Sequence, residues 1–543
     1  MTIGEQITSA ARRFPATPVI FTSDTRPEQA TTLEQLYADA QRVAAGLRAA
    51  GVGRGSVIAV QLPNWRECVV AHSAGWLLGA TVLPIVSIYG PAELDFIMRS
   101  SRARVYIGAA SWRGRDGSRL FETAAAVPGL DLRYSVGGPI TGARDFEDLS
   151  VTGPGVPDVA DADADDVALL VYTSGTTAEP KGVRHTHRTL LGEIAAMVQM
   201  RQGGPEVSCL AAFPSGHVAG VLGIVRLLTR GTLTVLMDAW DPAAAVTLIE
   251  THRIQASAGA PIHLAAILDA AERRGADITC LSEYTTGAAN VSADLIRRAD
   301  AVGVRAFRCY GSTEHPTISS GTTDDPLDKR AGTDGRITPG TQVRIVDDTG
   351  REVDADVDGE ILTRGPEQFV GYTSAALNTE AFADGWFRTG DIGRIDDDGY
   401  LRITDRKKDI IVRGGENLSS KEIEDVLLAH PDVAEAAAVG APDERYGERV
   451  CAFIVPRADA TIDLDSIRRH FADRGLACQK TPERLEVVTA LPRTASGKVQ
   501  KPTLRDRLAT RHRGELALHQ GPTQAASDAR VPQEESESRP GQP

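Results

Sequence analysis

Apolar runs alternate with amphipathic stretches along most of this chain. Val57–Leu62 and Val167–Tyr172 are short and rich in β-branched residues, which indicates strands, whereas Leu33–Ala50 carries Ala and Leu at helical spacing. The alternation continues from about residue 30 to 410 and is typical of helices that cover largely parallel sheets. We therefore predict an α/β fold whose large N-terminal domain of layered sheets and helices spans residues 1–406.

The pattern changes after residue 406. Ser419 and Glu422 have the spacing of a capping box before an amphipathic helix. We predict a small α+β domain over residues 407–509, followed by a disordered tail over residues 510–543, which has few apolar residues to offset chain entropy. The other segments of the small domain read as strand, helix and strand: Val450–Val455, Leu464–Phe471 and Leu485–Val488.

One apolar stretch, Val69–Val86, is long enough to cross a bilayer. It contains His72, Gly75 and Pro84, so a buried helix that leads into a strand is the better interpretation. The N-terminus shows no apolar core of a signal peptide, and the six cysteines are scattered without a metal-like or disulfide-like spacing. We expect a cytoplasmic protein without a membrane span.

The formal net charge of -14 argues against a nucleic-acid partner, because phosphate backbones need basic surfaces. Anions must instead be held by local sites. One such site is indicated where the strand Val167–Tyr172 runs into Thr173-Ser174-Gly175-Thr176-Thr177-Ala178-Glu179-Pro180-Lys181-Gly182. Backbone N–H groups, hydroxyls and one lysine in such a loop suit polyphosphate oxygens. The spacing is not that of a Walker A loop, and an ordinary Ser/Thr/Gly turn is the alternative.

This loop resembles the phosphate loop of the adenylate-forming superfamily, which contains acyl-CoA synthetases, peptide-synthetase adenylation domains and firefly-type luciferases. Ala178 replaces a customary glycine, and Thr285-Thr286 stand where glycine is common. Four more motifs follow in the family's order: Tyr310-Gly311-Ser312-Thr313-Glu314, Gly385-Trp386-Phe387-Arg388-Thr389-Gly390-Asp391, Asp405-Arg406-Lys407-Lys408-Asp409 and Pro492-Arg493-Thr494-Ala495-Ser496-Gly497-Lys498.

The resemblance implies an enzyme that uses ATP and Mg²⁺ to convert a carboxylic acid to an acyl-adenylate. Carboxylate and α-phosphate are both anions, so a cation must lie between them. By resemblance Lys498 bridges them, Glu314 and Thr176 hold Mg²⁺, and Asp391 binds the ribose. The remaining nucleotide-binding residues implied are Thr173, Ser174, Gly175, Thr177 and Lys181 at the phosphates, Tyr310 at adenine, Gly311, Thr313 and Arg406 near the α-phosphate and ribose, and the turn Gly287, Ala288 and Ala289, whose small residues also suit an apolar acyl or ring group.

Several of these residues have simpler interpretations. Tyr310 follows Phe307-Arg308-Cys309 and could be a core aromatic. His217 either lines the acyl pocket or is a buried core histidine. His185 and His187 have a metal-like spacing, but no cysteine or carboxylate cluster accompanies them, so Thr186 is better explained as a helix cap.

The acceptor of the acyl group is indicated by Arg413-Gly414-Gly415-Glu416-Asn417-Leu418, which resembles the loop that acyl-CoA synthetases turn against coenzyme A. The resemblance implies that the C-terminal domain is mobile about Lys408. His217, Ala219 and Gly220 would line a pocket for an apolar chain or ring. We therefore predict an acid:CoA ligase similar to fatty-acid and cyclic-carboxylate ligases, with a carrier-protein loading enzyme and a non-catalytic nucleotide-binding regulator as alternatives. The resemblance also implies a lysine acetyltransferase acting on Lys498, and a homodimer is left open.

Overall fold

The computed structural model of the 543-residue protein describes residues 1–150, 162–173, 180–201, 207–413, 416–443, 445–458, 460–474, 478–494 and 497–519. For residue 417 and residues 511–519 it describes the backbone only. Helices and strands alternate through the large N-terminal part, and a smaller unit follows it. The predicted α/β class and the small C-terminal α+β unit are confirmed.

The helices and strands of these residues have the following bounds. The helices are α1 Ile3–Arg13, α2 Leu33–Ala49, α3 Arg66–Leu77, α4 Pro91–Ser101, α5 Ser118–Ala125, α6 His187–Met200, α7 Val218–Arg230, α8 Pro242–His252, α9 Pro261–Arg274, α10 Ala293–Ala301, α11 Leu327–Gly332, α12 Ala375–Ala381, α13 Ser420–Leu428, α14 Leu464–Asp473 and α15 Lys501–His519. The strands are β1 Pro18–Thr22, β2 Gln29–Thr32, β3 Val57–Gln61, β4 Thr81–Pro84, β5 Val105–Ala109, β6 Ser111–Trp112, β7 Arg115–Asp116, β8 Leu132–Val136, β9 Arg144–Asp145, β10 Val167–Thr173, β11 Lys181–Thr186, β12 Cys209–Ala211, β13 Thr234–Met237, β14 Ala256–Gly259, β15 Glu283–Thr286, β16 Arg305–Tyr310, β17 Ser319–Ser320, β18 Arg336–Ile337, β19 Gln342–Val346, β20 Gly359–Arg364, β21 Phe382–Ala383, β22 Trp386–Ile395, β23 Leu401–Arg406, β24 Ile411–Arg413, β25 Glu416–Leu418, β26 Val433–Asp443, β27 Gly447–Pro456 and β28 Arg484–Val487.

The largest sheet in the described part of the chain has the strand order β18-β17-β16-β15-β14-β12-β13-β1-β2. Strands β16, β15, β14, β12, β13 and β1 are parallel to their neighbours, so their carboxyl ends share one edge. In open sheets of this kind, ligands bind at the edge formed by the carboxyl ends. Strands β17, β18 and β2 pair antiparallel at the two sides.

A second sheet has the order β11-β10-β4-β3-β5-β8-β9 and is parallel apart from β11. The two sheets enclose a core to which α1, α2, α3 and α7 contribute apolar side chains. The apolar stretch Val69–Val86 forms the buried helix α3 and then strand β4, as predicted. Gly75 allows this packing, because a Cβ there would lie 2.8 Å from the side chain of Val82.

A third, antiparallel sheet joins β19, β20, β22, β21 and β23 and carries the predicted ribose-binding motif. The C-terminal sheet has the order β25-β24-β27-β26 with β28 beside β27. Helices α13 and α14 pack on one face through Ile423, Leu427 and Phe471, and α15 packs on the other through Leu504 and Leu508. Helix α15 continues to His519, past residue 510, where the sequence predicted disorder to begin.

Two predicted helix starts have different outcomes. The Thr186 hydroxyl accepts a hydrogen bond from the backbone N–H of Thr189 at 3.2 Å and caps α6, as expected. The Ser419 hydroxyl likewise accepts from the N–H of Glu422 at 3.1 Å, but the Glu422 carboxylate does not complete a capping box. It accepts from Lys480 Nζ at 2.7 Å instead, because the fold brings this cation beside it.

Candidate active site

A cavity of about 1670 Å³ lies along strands β12, β14, β15 and β16 of the largest sheet. Its wall includes residues at the amino ends of these strands, such as Cys209 and Arg305, and residues just beyond the carboxyl ends, such as Phe213 and Gly311. Since a strand advances about 3.3 Å per residue, this path is on the order of 15 Å long. The third sheet and the C-terminal domain close the carboxyl-end region with Asp391, Arg406 and Lys498.

Asp391 is held by two partners. It is 3% exposed, and its Oδ2 accepts a hydrogen bond from the Tyr310 hydroxyl at 2.8 Å while Oδ1 lies 2.7 Å from Arg406 Nε. Asp391 and Arg406 face each other in the antiparallel register of β22 and β23, and Tyr310 ends β16. Burial and then the nearby Asp391 charge raise the pKa of the Tyr310 hydroxyl, so this group stays a donor. Asp391 therefore presents a fixed carboxylate to the cavity.

Tyr310 itself lies behind the cavity wall. Its ring is 9% exposed and packs with Ile318, Ile345 and Leu401 in a local core. The core interpretation of this aromatic therefore describes its position, and its hydroxyl orients Asp391. Stacking of Tyr310 on adenine remains a prediction from resemblance.

Glu314 lines the same region of the cavity. Its Oε1 accepts a hydrogen bond from the Tyr372 hydroxyl at 2.7 Å. Tyr372 is joined to the phosphate-loop side of the site by a bridge to Val183, and Lys181 Nζ lies 5.5 Å from the centroid of its ring. Burial and the Glu314 charge raise the pKa of Tyr372, which keeps the hydroxyl protonated. Tyr372 thus donates to the Glu314 carboxylate through its hydroxyl and lies near the Lys181 cation through its ring.

Lys498 enters this cavity from a turn of the C-terminal domain. The N–H of Thr494 donates to the Lys498 carbonyl at 2.8 Å, and the N–H of Lys498 donates to the Thr494 hydroxyl at 3.1 Å. Gly497, within this turn, has a positive φ of 83°. Burial and then Arg406 lower the pKa of Lys498, whereas Asp391 and Glu314 oppose this change. Lys498 is therefore within electrostatic reach of the residues predicted to bind ribose and metal.

Lys408 lies in the segment between β23 and β24 and also lines the cavity. Burial and then Arg406 lower its pKa to about 8. Next to this segment, Asp405 of β23 accepts a hydrogen bond at Oδ2 from the N–H of Ser420, at the start of α13, at 2.8 Å. A lysine that the sequence indicates as a pivot is thus placed at the junction and faces the site.

His217, Ala219 and Gly220 line the cavity where α7 begins. Burial and then Lys498 lower the pKa of His217 to about 4, so the imidazole is neutral at pH 7, and its Nε2 has no hydrogen-bond partner among the described residues. A Cβ on Gly220 would lie 2.1 Å from the carbonyl oxygen of Pro214, so only glycine fits. The pocket interpretation of His217 is favoured, because this nitrogen is left for a ligand.

The remaining predicted residues are distributed as follows. Thr173, Gly287, Ala288, Gly311 and Thr313 line the cavity, whereas Ala289 and Glu416 do not. Ala288 has a positive φ of 65°. His185 is buried and its ring contacts the Thr313 carbonyl at 2.8 Å, so it supports the motif from behind. Ser174, Gly175, Thr176, Thr177, Gly414 and Gly415 lie outside the described residues.

Within the described ranges the chain shows no cluster of three or more His, Cys, Asp or Glu side chains that could hold a metal ion by itself. Likewise, no helix in the described part of the chain is long and apolar enough to cross a membrane. Glu314 offers one carboxylate to the cavity, and Mg²⁺ is usually held by one or two carboxylates together with substrate phosphates.

The sequence reasoning missed several cavity residues, among them Tyr372 and an acidic residue on α6. Glu193 on α6 is 3% exposed and lines the cavity near Thr317. Its Oε1 accepts from the Thr317 hydroxyl at 2.6 Å, and burial raises its pKa to about 8. The available signal was an acidic residue between Leu190 and Ile194, on a helix predicted to bury those positions.

Comparison with known proteins identifies the family of the chain. Residues 7–373 match the AMP-binding enzyme family, and residues 422–498 match the AMP-binding enzyme C-terminal domain. The chain is similar to the medium-chain fatty-acid–CoA ligase of Escherichia coli, with 33% identity over 84% of this chain and 82% of the ligase. It is also 33% identical to the 2,3-dihydroxybenzoate-AMP ligase of Bacillus subtilis, over 88% of each chain.

Among solved structures, ATP-bound MatB from Rhodopseudomonas palustris superposes with a TM-score of 0.80 and 29% identity, covering 93% of this chain and 99% of that one. The fold and the ordered motifs define an adenylate-forming ligase. The chain belongs to the AMP-binding enzyme family.

Proposed function

We propose that the protein is an ATP-dependent acid:CoA ligase. It joins a carboxylic acid to ATP, forming an acyl-adenylate and pyrophosphate, and then transfers the acyl group to the thiol of coenzyme A, releasing AMP. The observation that carries this proposal is the convergence of Lys498, Glu314, Asp391 and Arg406 on one cavity with a long acyl-sized extension. Lys498 comes from the C-terminal domain and the other three residues from the N-terminal domain, so only the folded chain brings them together.

In the first step, the carboxylate oxygen attacks the α-phosphorus, and the bond to the pyrophosphate oxygen breaks. Both reactants are anions, so the Lys498 ammonium would neutralise the pair as the new bond forms. Burial removes hydration from the Lys498 ammonium, and the like charge of Arg406 lowers the pKa of Lys498 further. An anion that enters the site would therefore favour the charged form of Lys498. Asp391, fixed by Tyr310 and Arg406, would accept hydrogen bonds from the ribose hydroxyls. A fixed ribose would in turn position the α-phosphate that is attached to it.

Among the described residues, Glu314 offers a carboxylate of the kind that Mg²⁺ prefers. The Tyr372 hydroxyl donates a hydrogen bond to one of its two oxygens. When bound with ATP, Mg²⁺ supplies charge neutralisation of the departing pyrophosphate. Lys181 would contribute a further cation on the phosphate side. The proposed contribution of Thr176 rests on the resemblance alone.

The second step needs room for the pantetheine arm of coenzyme A. Lys498 occupies the cavity here, and Glu416 on β25 lies away from it. We propose that the C-terminal domain turns about Lys408 after adenylation, so that Lys498 leaves and the loop with Gly414, Gly415 and Glu416 replaces it. The acetyltransferase that acts on Lys498 and the homodimer remain predictions.

The extension of the cavity supports an apolar acyl group. Ile194, Met197, Val198, Leu222 and Leu227 line it. A medium- or long-chain fatty acid, or an alicyclic or aromatic acid, would fill such a space. A second candidate function is the loading of a carrier protein, which the similarity to an AMP ligase supports. A non-catalytic regulator would have no need for Lys498 and Glu314 together in the cavity.

The test is ATP–pyrophosphate exchange over a panel of linear, alicyclic and aromatic acids, followed by product analysis with and without coenzyme A. The proposal expects acid-dependent exchange and an acyl-CoA product. Exchange without thioester formation would favour the carrier-protein function, and no exchange with any acid would reject both.

A further inference from the structure

The wall of the acyl-binding cavity carries an acidic side chain that the proposed reaction does not use. Glu193 is 3% exposed on α6 and faces the cavity among Ile194, Met197 and Val198. An acid in this place is unfavourable to an unsubstituted hydrocarbon chain, because a buried polar group without a hydrogen-bond partner costs free energy. Its presence therefore bears on which acids the cavity accepts.

One oxygen of the Glu193 carboxyl has a hydrogen-bond partner in the protein, and the other has none among the described residues. Its Oε1 accepts a hydrogen bond from the Thr317 hydroxyl at 2.6 Å. Its Oε2 is buried and has no hydrogen-bond partner among the described residues. Buried polar atoms in folded proteins are nearly always paired, so an unpaired one on the wall of a cavity points to a ligand group.

The surroundings determine which kind of group this is. Burial is the main cause that raises the pKa of Glu193 to about 8, and the neighbouring Glu367 acts in the same direction. Glu367 is itself fully buried, and its Oε1 accepts from the Thr338 hydroxyl at 3.0 Å. At neutral pH Glu193 is therefore mainly a neutral carboxylic acid with one O–H to donate. The complementary ligand group is a hydrogen-bond acceptor, such as a carbonyl or hydroxyl oxygen.

The position of Glu193 limits where that oxygen lies on the substrate. Thr317 is three residues after Glu314, in the loop that leaves the carboxyl end of β16. Burial, then Asp334 and then ionised Glu193 raise the pKa of Cys309, the residue before Tyr310, so Glu193 lies near this position. Glu193 is thus close to the Glu314 motif of the adenylation region. The acceptor oxygen belongs near the reacting carboxyl group of the substrate.

We propose that Glu193 is a specificity-determining residue whose neutral carboxyl donates a hydrogen bond to an oxo or hydroxyl oxygen a few carbons from the reacting carboxylate, so that the preferred substrates are oxygenated acids rather than plain fatty acids. This inference rests on the proposed acid-activating function and names the substrate class for the same site.

The experiment compares octanoate with 4-oxo-, 5-oxo- and 7-oxooctanoate in ATP–pyrophosphate exchange. Wild type is expected to show a kcat/KM about tenfold higher for 4-oxo- or 5-oxooctanoate than for octanoate, mainly through KM, since one net hydrogen bond is worth about this factor. The gain for 7-oxooctanoate should be smaller, because its oxygen lies beyond Glu193. Glu193→Met, which keeps the length but removes the donor, should reduce the preference to about one.

Two further variants separate recognition from structure. Glu193→Gln keeps a neutral donor at the same place and should retain most of the preference. Gln199→Ala changes an exposed residue of the same helix outside the cavity wall and should leave the preference ratio as in wild type.

Three results would overturn the inference. In the first, wild type turns over octanoate as well as every oxo acid. In the second, Glu193→Met lowers kcat/KM equally for all four acids, which would mean that Glu193 only supports the Thr317 loop. In the third, no carboxylic acid supports exchange by wild type, which rejects the proposed function and this inference with it.

Discussion

Tyr310→Phe offers a sharp test of how the nucleotide site is built. The phenol hydroxyl lies 2.8 Å from Asp391 Oδ2, and the ring is buried, so the substitution removes one donor without opening a cavity. Asp391 keeps its contact with Arg406 at 2.7 Å. A hydrogen bond to a charged acceptor contributes about 1.5–3 kcal/mol. Because Arg406 remains, we expect a loss of about 1–2 kcal/mol in ATP binding, or roughly five- to thirtyfold in KM.

The assay is ATP–pyrophosphate exchange with ATP varied at saturating acid, and a thermal-unfolding scan checks the fold. Tyr106→Phe is the matched control. Tyr106 is fully buried and its hydroxyl donates to Gln61 Oε1 at 2.9 Å, but it lies in the second sheet, outside the cavity wall. It should lower the unfolding temperature without changing the KM for ATP. A KM within twofold of wild type for Tyr310→Phe, or an equal increase in both variants, would refute this reasoning.

Three other predictions follow from the same cavity. Glu314→Gln should lose most adenylation while the protein stays folded, because it removes the carboxylate proposed for Mg²⁺; near-wild-type turnover at saturating Mg²⁺ would exclude that role. Lys408→Pro, which fixes φ near -65°, should slow thioester formation more than adenylation in pre-steady-state assays, and an equal loss in both would argue against the pivot. Glu193→Gln should unfold at a higher temperature than wild type by a margin that grows as pH rises from 4.5 to about 8, since over this range folded wild type holds a proton that the unfolded chain has lost. A margin that does not change with pH would show that Glu193 is already ionised.

Much of the fold could be predicted from the sequence because it depends on local periodicity. The strand Val167–Thr173 and helix Leu33–Ala49 lie within a residue of the predicted bounds. The helix with Leu464 and Phe471 on one face also forms, and both its structure and its burial follow from the spacing of apolar residues. Helix α15 runs past residue 510, where we predicted the tail to begin, and its first turns pack through Leu504 and Leu508.

The site was predictable as a set of motifs but not as a set of contacts. Tyr310 and Asp391 are 81 residues apart, and only the tertiary fold shows that the tyrosine supports the carboxylate. Tyr372 belongs to none of the predicted motifs and reaches Glu314 through a pairing with Val183. Glu193 could not be assigned to the cavity, because the sequence does not show which face of an amphipathic helix an isolated acid joins.

The central claim is that Lys498 brings the two anionic reactants together in the first half-reaction only. Its most direct test is Lys498→Ala in single-turnover assays of the separate steps, with Lys480→Ala, a lysine of the same domain outside the cavity, as the control. Acyl-adenylate formation should fall by about 10²-fold or more, the loss typical of removing an electrostatic group from a reacting centre. Conversion of supplied acyl-adenylate and coenzyme A to the thioester should stay within a few-fold of wild type, and Lys480→Ala should affect neither step. Equal losses in the two half-reactions for Lys498→Ala would contradict the account.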